Sequence, residues 1–328
     1  MPMSNFPAGF KDGVSIRGVP LTQTHPGKVF WVSNSTVQLP NQKAGSNSND
    51  GSFNAPFSTV QKAVDTAVAS RGDIIFVKPG HAESVSAAGG LALNKAGVAI
   101  VGLGRGSLRP TITLDTANTA TVSVAASNVT VSNILFKANF LNIATCFDIA
   151  NAQVANDLVV DNCEFRDNSV ILNFVACVKV GTTANIADGL TLSNNKVHAA
   201  ILTTVPAGQT FCVTASIIHR LTMVNNVVIY PKDLADTACL LAAGALDLTQ
   251  AVIDNNYVFR PATSTTNGHL ISSSATACSG FISNNLVAHL DASAALIIPT
   301  GTKFSFFNNY SMVTGAADKS ALINPVAV

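Results

Sequence analysis

The chain has 328 residues and a formal net charge of +1; only 11% of its residues are charged while 48% are hydrophobic, and the mean hydropathy is +0.35. Basic residues are scattered singly, so there is no electrostatic reason to expect a nucleic acid or an anionic membrane as partner, and no apolar run reaches the roughly 18 residues of a membrane span. The six cysteines stand alone among apolar neighbours with no CxxC pair, which predicts buried free thiols rather than disulfides or a metal site.

In chain order, residues 1–48 read as an N-terminal arm and linker. The opening "MPMSNFPAGFKDG" lacks the apolar core of a signal peptide, which leads to an expectation of synthesis in the cytoplasm. Two strand-like pieces follow, "VSIRGV" and "KVFWVSN", with Val14, Ile16, Arg17, Val29, Phe30 and Trp31 as the candidate attachment surface. The run "NQKAGSNSNDGS" at 41–52 reads as a flexible polar linker. An apolar arm on a polar tether suits docking onto a larger assembly; packing along its own rod is the alternative.

Residues 49–328 form the second unit. Its first element is a lid helix at about 57–70, with Val60, Ala63, Val64, Ala67 and Val68 on one face, Ser58 or Thr59 as N-cap and Gly72 past the end. Segments 72–85 and 96–115 then read as short strands parted by Pro-Gly and Gly-rich turns.

From residue 129 a repeat takes over. Segments such as "VTVSNILF", "LTLSNNKV" and "AVIDNNYV" share a template of apolar, any, apolar, any, Asn, usually with a second Asn after it. The first Asn falls at Asn133, Asn162, Asn194, Asn225, Asn255, Asn284 and Asn308, with spacings of 29, 32, 31, 30, 29 and 24 residues. Units of this size bury little alone and must stack. Period-2 alternation and β-branched content make each a pair of short strands, so the expected fold is all-β: a parallel β-helix rod of roughly 45 Å with coils about 4.8 Å apart. Asn tolerates the left-handed conformation of a sharp corner, and its amide can bond the Asn one coil away, so the column is expected as a stacked ladder inside the rod.

The order of helix, "VKPG" turn, "VAIVGLG" turn and "TITLD" resembles the N-terminal part of the pectin-lyase-like superfamily, which implies a right-handed single-stranded parallel β-helix with an N-terminal capping helix and an extended arm. The runs "GVSIRGVPLTQTHPGKVFWVSN" and "ASRGDIIFVKPGHAESVSAAGGLAL" resemble virion-associated β-helix proteins of tailed bacteriophages. That resemblance implies a structural protein decorating or cementing the capsid, made in the host bacterial cytoplasm and residing in the virion.

The polysaccharide-acting members of the superfamily use clustered acids, and the Asp, Arg and Gln combinations of esterase-, hydrolase- and lyase-type sites find no counterpart segment here. The only glutamates are Glu83 and Glu164; Asp161 and Asp254 precede ladder asparagines, and Asp233 and Asp236 read as solvated loop residues. The six histidines show no metal-ligand spacing, and "GLGRG" at 102–106 reads as a tight corner rather than a phosphate loop. The expectation is therefore a chain that is not an enzyme, with no catalytic, cofactor or metal residues and no cofactor. Its expected partners are itself, as a homotrimer, and a capsid or other virion protein reached through the arm, with no nucleic acid and no membrane. A tailspike-like rod that binds or degrades polysaccharide is the alternative.

Overall fold

The computed structural model describes residues 15–16, 19–20, 27–35, 42–169, 171–200, 209–230, 237–244, 247–260, 268–273, 277–289, 296–297, 303–313 and 320–322. Each full coil follows one path of a strand, a corner, a second strand, a loop and a third strand, and from Asn133 onward the corner is an Asn. Parallel stacking of the coils produces three long sheets and a two-stranded one, Ile218–His219 with Leu248–Thr249.

The first sheet has ten strands, from Val29–Val32, Ile74–Val77 and Ala99–Gly102 through to Ser279–Ser283 and Lys303–Phe307. The second starts at Ala82–Val85 and passes through Thr111–Leu114, Leu135–Ala138, Glu164–Asp167 and Lys196–His198 to Tyr310–Val313. The third has eight strands, from Leu91–Leu93 to Leu296–Ile297. The last strand of the second sheet, Ser320–Leu322, runs antiparallel to Tyr310–Val313. This is a parallel β-solenoid with one helix among the described residues.

Alternation along the strands decides what lies inside. Ile75, Ile100, Val131, Val160, Leu192 and Met223 stack in register as one inner column of the first sheet. Ile112, Phe136, Phe165 and Val197 do the same on the second. Phe136 meets Phe147 of the third sheet edge-on, with centroids 4.9 Å apart, and stacks on Phe165 at 5.6 Å. Each fully buried side chain of this kind contributes about 1.5–3 kcal/mol. Cys146, Cys163, Cys177, Cys212 and Cys278 are buried free thiols among them, and burial pushes the Cys163 and Cys212 thiols up to about 12.

The start of the rod departs from the sequence reading. Val29–Val32 pairs in parallel with Ile74–Val77, and Phe30 and Val32 are buried. Val29, Phe30 and Trp31 are therefore part of the first coil rather than of a free arm, and the rod begins before the expected boundary at residue 48. The cause is the alternation of "VFWV", which supplies both an inner face and a ladder-bonding edge. The supposed flexible linker is a bonded loop: Asn47 Oδ1 accepts from the backbone N–H groups of Ser58 and Thr59 at 3.1 and 3.2 Å, and Asn49 Nδ2 donates to the carbonyls of Ala44 and Pro56 at 2.8 Å.

Helix α1 (Val60–Thr66) is shorter than the expected 57–70. Thr59 is its N-cap, its Oγ1 accepting from Lys62 N at 3.3 Å. The helix stops because Ala67 turns to extended backbone and Asp73 Oδ2 takes the N–H of Val68 at 2.8 Å. Val60, Ala63, Val64 and Ala67 are buried against the core, whereas Val68 is exposed. The helix lies against Leu91–Leu93, the first strand of the third sheet, and Gln61 Oε1 accepts that strand's Ala92 N–H at 2.7 Å. Asn34 does likewise for the second sheet, accepting from Ala82 N at 2.8 Å and donating back to the Ala82 carbonyl. Backbone groups that an edge strand leaves unpaired thus find side-chain partners.

Candidate functional site

Seven ladder positions were expected, with Asn162, Asn194, Asn225, Asn255 and Asn284 inside the rod; the structure instead separates an outer and an inner asparagine column. Asn133, Asn162, Asn194, Asn225, Asn255, Asn284 and Asn308 all have φ between 49° and 57°. They form the corners between first and second sheets and lie on the outside, exposed except for the half-buried Asn133. Most bond the neighbouring coil directly, as in Asn255 Nδ2 to Asn225 Oδ1 at 2.8 Å and Asn308 Nδ2 to Asn284 Oδ1 at 2.9 Å. Asn194 and Asn284 instead donate to Asp161 and Asp254, at 2.7 and 2.8 Å. Those two aspartates also accept from Ser193 and Ser283, which gives them a structural use.

The buried ladder is the next residue: Asn195, Asn226, Asn256, Asn285 and Asn309. Asn226 Oδ1 accepts both the backbone N–H and the side-chain amide of Asn195, at 3.0 and 3.1 Å, while its Nδ2 donates to Leu192 O and Asn256 Oδ1. The column ends at Cys163, whose backbone N–H reaches Asn195 Oδ1 at 2.9 Å. A left-handed residue at the corner turns the chain inward, so the residue after it enters the core.

Of the candidate arm, Val14 and Arg17 lie outside the described residues, as do Asp233 and Asp236; Ile16 sits in a two-residue strand, Ser15–Ile16, paired antiparallel with Val19–Pro20. Trp31 packs on Phe53 and Phe76 at 4.9 and 5.0 Å, and the Lys78 ammonium lies 3.8 Å from the Phe53 ring centroid. Glu83 accepts the first N–H of α1, from Val60, at 3.0 Å. Among the described residues there is no group of three or more His, Cys, Asp or Glu able to hold a metal ion.

Three features outside the expected set remain. The outer face of the second sheet holds a concavity of about 530 Å³, lined by Arg109, Thr111, Leu135, Glu164, Arg166 and Lys196 with the turn at Gly106 and Ser107. Register stacks Thr111, Leu135, Glu164 and Lys196 on successive coils. Glu164 is the centre: Arg109 Nη1 lies 3.3 Å from its Oε2, and Arg166 Nε lies 3.1 Å from its Oε1.

The second feature is Asp167, buried where the Glu164–Asp167 strand ends. It accepts from Phe174 N at 3.0 Å, Ala200 N at 3.1 Å and Gln209 Nε2 at 3.4 Å. Burial pushes its carboxyl up to about 6, although these donors pull the other way. It is a structural knot joining three loop segments.

The third is the outer face of the first sheet. Its two outward columns include Ile74, Thr130, Val159, Thr222 and Val252, and the only charges in them are the bonded Asp161 and Asp254. At the C-terminal end Phe281 is 60% and Phe307 70% exposed, beside concavities of about 320 and 720 Å³. Gly280, with φ of 140°, lets this strand pass close to Ala251, whose carbonyl oxygen would lie 2.0 Å from an added Cβ.

No protein-family model and no curated protein matches the chain. Among solved structures, a rhamnogalacturonan lyase matches with 13% identity and a TM-score of 0.41, over 88% of this chain and 87% of that one. A pectin methylesterase from Aspergillus niger matches with 14% identity and a TM-score of 0.43, over 89% and 94%. The coil topology by itself makes the fold a parallel β-helix. The expectation of a chain that is not an enzyme is corrected: both matched structures are enzymes, so the missing acid clusters give no ground for excluding activity. At such identities the likeness concerns the backbone path, and no substrate or residue role comes with it.

Proposed function

We propose that the chain is a structural protein of a bacteriophage virion, a homotrimeric rod that decorates the capsid. The observation carrying this reading is the outer face of the first sheet, ten strands and about 45 Å long, nearly without charge and ending in the exposed Phe281 and Phe307. Its outward columns mix Val, Ile, Trp and Phe with Ser and Thr, and a long face with so little charge and exposed rings at one end is a candidate contact surface. Copies of one chain about a closed symmetry axis cover such a face without leaving a new one open. The resemblance of two sequence runs to phage virion proteins is the ground for the location. A right-handed winding follows from the rule for parallel crossovers, and α1 serves as the cap of the N-terminal end.

Since Val29–Trp31 belong to the first coil, attachment to the particle falls to residues before 27. The experiment is light scattering of the purified chain, expected at three times 33.9 kDa, followed by binding of full-length and residue 27–328 proteins to capsids. A monomer at micromolar concentration would remove the trimer, and a truncated rod that still decorates particles would remove the role of the N-terminal residues. A second reading, a tailspike-like rod that binds polysaccharide, draws on the open ring faces of Phe281 and Phe307 beside Asp254, Ser283 and Asn284, since exposed rings stack on sugars. Saturable binding of a host polysaccharide, lost on replacing both rings, favours it over the trimer.

A further inference from the structure

The concavity on the second sheet is unlike the rest of the surface. In a chain with 11% charged residues, three cations and one carboxylate line a single hollow. Glu164 is 14% exposed and holds two guanidinium groups at once. It therefore fixes their directions without using up their donors. A guanidinium has five N–H groups; Arg166 spends Nε and Nη2 on Glu164, which leaves Nη1 free, and Arg109 spends only Nη1. Arg109 Nε finds no acceptor at all, an unmet demand in a side chain only 17% exposed. The Lys196 side chain, one coil from Glu164, has no ion pair or hydrogen-bond partner among the described residues, and the residue lines the same hollow.

Three cations against one carboxylate leave an excess of two positive charges, with donors converging from an arginine on each side and a lysine on the next coil. A lone carboxylate ligand would answer half of that excess. A tetrahedral oxyanion answers it in both charge and number of acceptor oxygens, since a phosphate monoester carries about −1.5 to −2 at neutral pH. We propose that this hollow binds a phosphate or sulfate group, free or carried as an ester on a larger molecule, with Arg109, Arg166 and Lys196 as ligands and Glu164 as the positioning residue.

The test is a 31P NMR titration of the full chain with inorganic phosphate and with glycerol 3-phosphate, with sulfate and chloride as competitors at equal ionic strength. Saturable binding is expected, displaced by sulfate and not by chloride. Lys196→Met and Arg166→Gln should each weaken it at least tenfold, whereas Lys179→Met, an exposed lysine of the third sheet, should leave it unchanged. Tighter binding of glycerol 3-phosphate supports an ester-bearing ligand, and equal binding supports the free ion. Absence of saturation with both, displacement by chloride as effective as by sulfate, or an equal loss in Lys179→Met would overturn the proposal. Circular dichroism of each variant separates loss of binding from loss of fold.

Discussion

Two adjacent asparagines in one coil should respond in opposite measure to the same substitution. Asn226→Leu exchanges a buried amide for a group of similar size that makes no hydrogen bonds. Two N–H groups of Asn195, the backbone one and one of the pair on Nδ2 whose other N–H stays on Val160 O, then lose the acceptor they share, Leu192 O loses its side-chain donor, and none of them can reach water. At about 1–3 kcal/mol for each stranded N–H group, the expected loss is about 2–6 kcal/mol. Asn256 Oδ1 keeps the Asn226 backbone N–H, so the damage stays on one side of the column. Asn225→Leu removes bonds to Asn194 and Asn255 that are exposed and that water replaces. Its main cost is the left-handed backbone at φ 56°, about 1–2 kcal/mol for a residue with a Cβ other than Asn. Urea denaturation followed by far-UV circular dichroism, with midpoints compared on the same probe, reads the difference. An Asn225→Leu rod as weak as Asn226→Leu, or weaker, would refute the assignment of the inner ladder to the second asparagine. Asn225→Gly, which accepts the same φ, should recover most of the Asn225→Leu loss.

Other outcomes follow from single sites. Asp167 has its folded pKa raised from 3.8 to about 6, so its stabilising contribution is full below about pH 4 and is lost as pH rises through about 6, a swing of about 3 kcal/mol. The stability difference between the native chain and Asp167→Asn should therefore shift by that order between pH 4 and 7.5 in urea melts; a difference independent of pH refutes the burial argument. Gly280→Ala should cost more than about 2 kcal/mol, because the new Cβ meets the Ala251 carbonyl and φ of 140° is strained for alanine; a thermal melt within 1 °C of the parent would contradict it. Phe281→Ser with Phe307→Ser should turn the proposed trimer into monomer in light scattering while changing stability by less than about 1 kcal/mol; a trimer left intact would place the interface elsewhere.

The coil period was legible because the corner needs a left-handed residue and Asn is the commonest non-glycine answer. Which asparagine points inward was not, since strict alternation fails where the chain bends through φ above zero. Phe307 was legible in principle: in "KFSFFNN" alternation puts Phe304 and Phe306 inward and Phe307 outward, and the structure buries Phe304 and exposes Phe307. The charged hollow left a partial signal. Glu164 and Lys196 both lie two residues after their ladder asparagines, and Lys137, Arg166 and His198 four after theirs, so the repeat alone aligns them. Arg109 precedes the first such corner, and only the folded turn brings it 55 residues across to Glu164. The first coil was misread because its strand stands before the helix and carries no Asn corner to announce it.

The reversed strand Ser320–Leu322 gives the rod a property of its own. A stack of parallel coils is a template, and any copy presenting the same edge could continue it indefinitely, as fibrils do. At one end Gln61 and Asn34 occupy the bonding positions that a preceding coil would use. At the other, a strand of opposite direction takes those of the second sheet, and a further parallel coil meets the wrong hydrogen-bond pattern there. The molecule therefore carries an obstacle to longitudinal growth at each end, side chains at one and a reversed strand on the second sheet at the other.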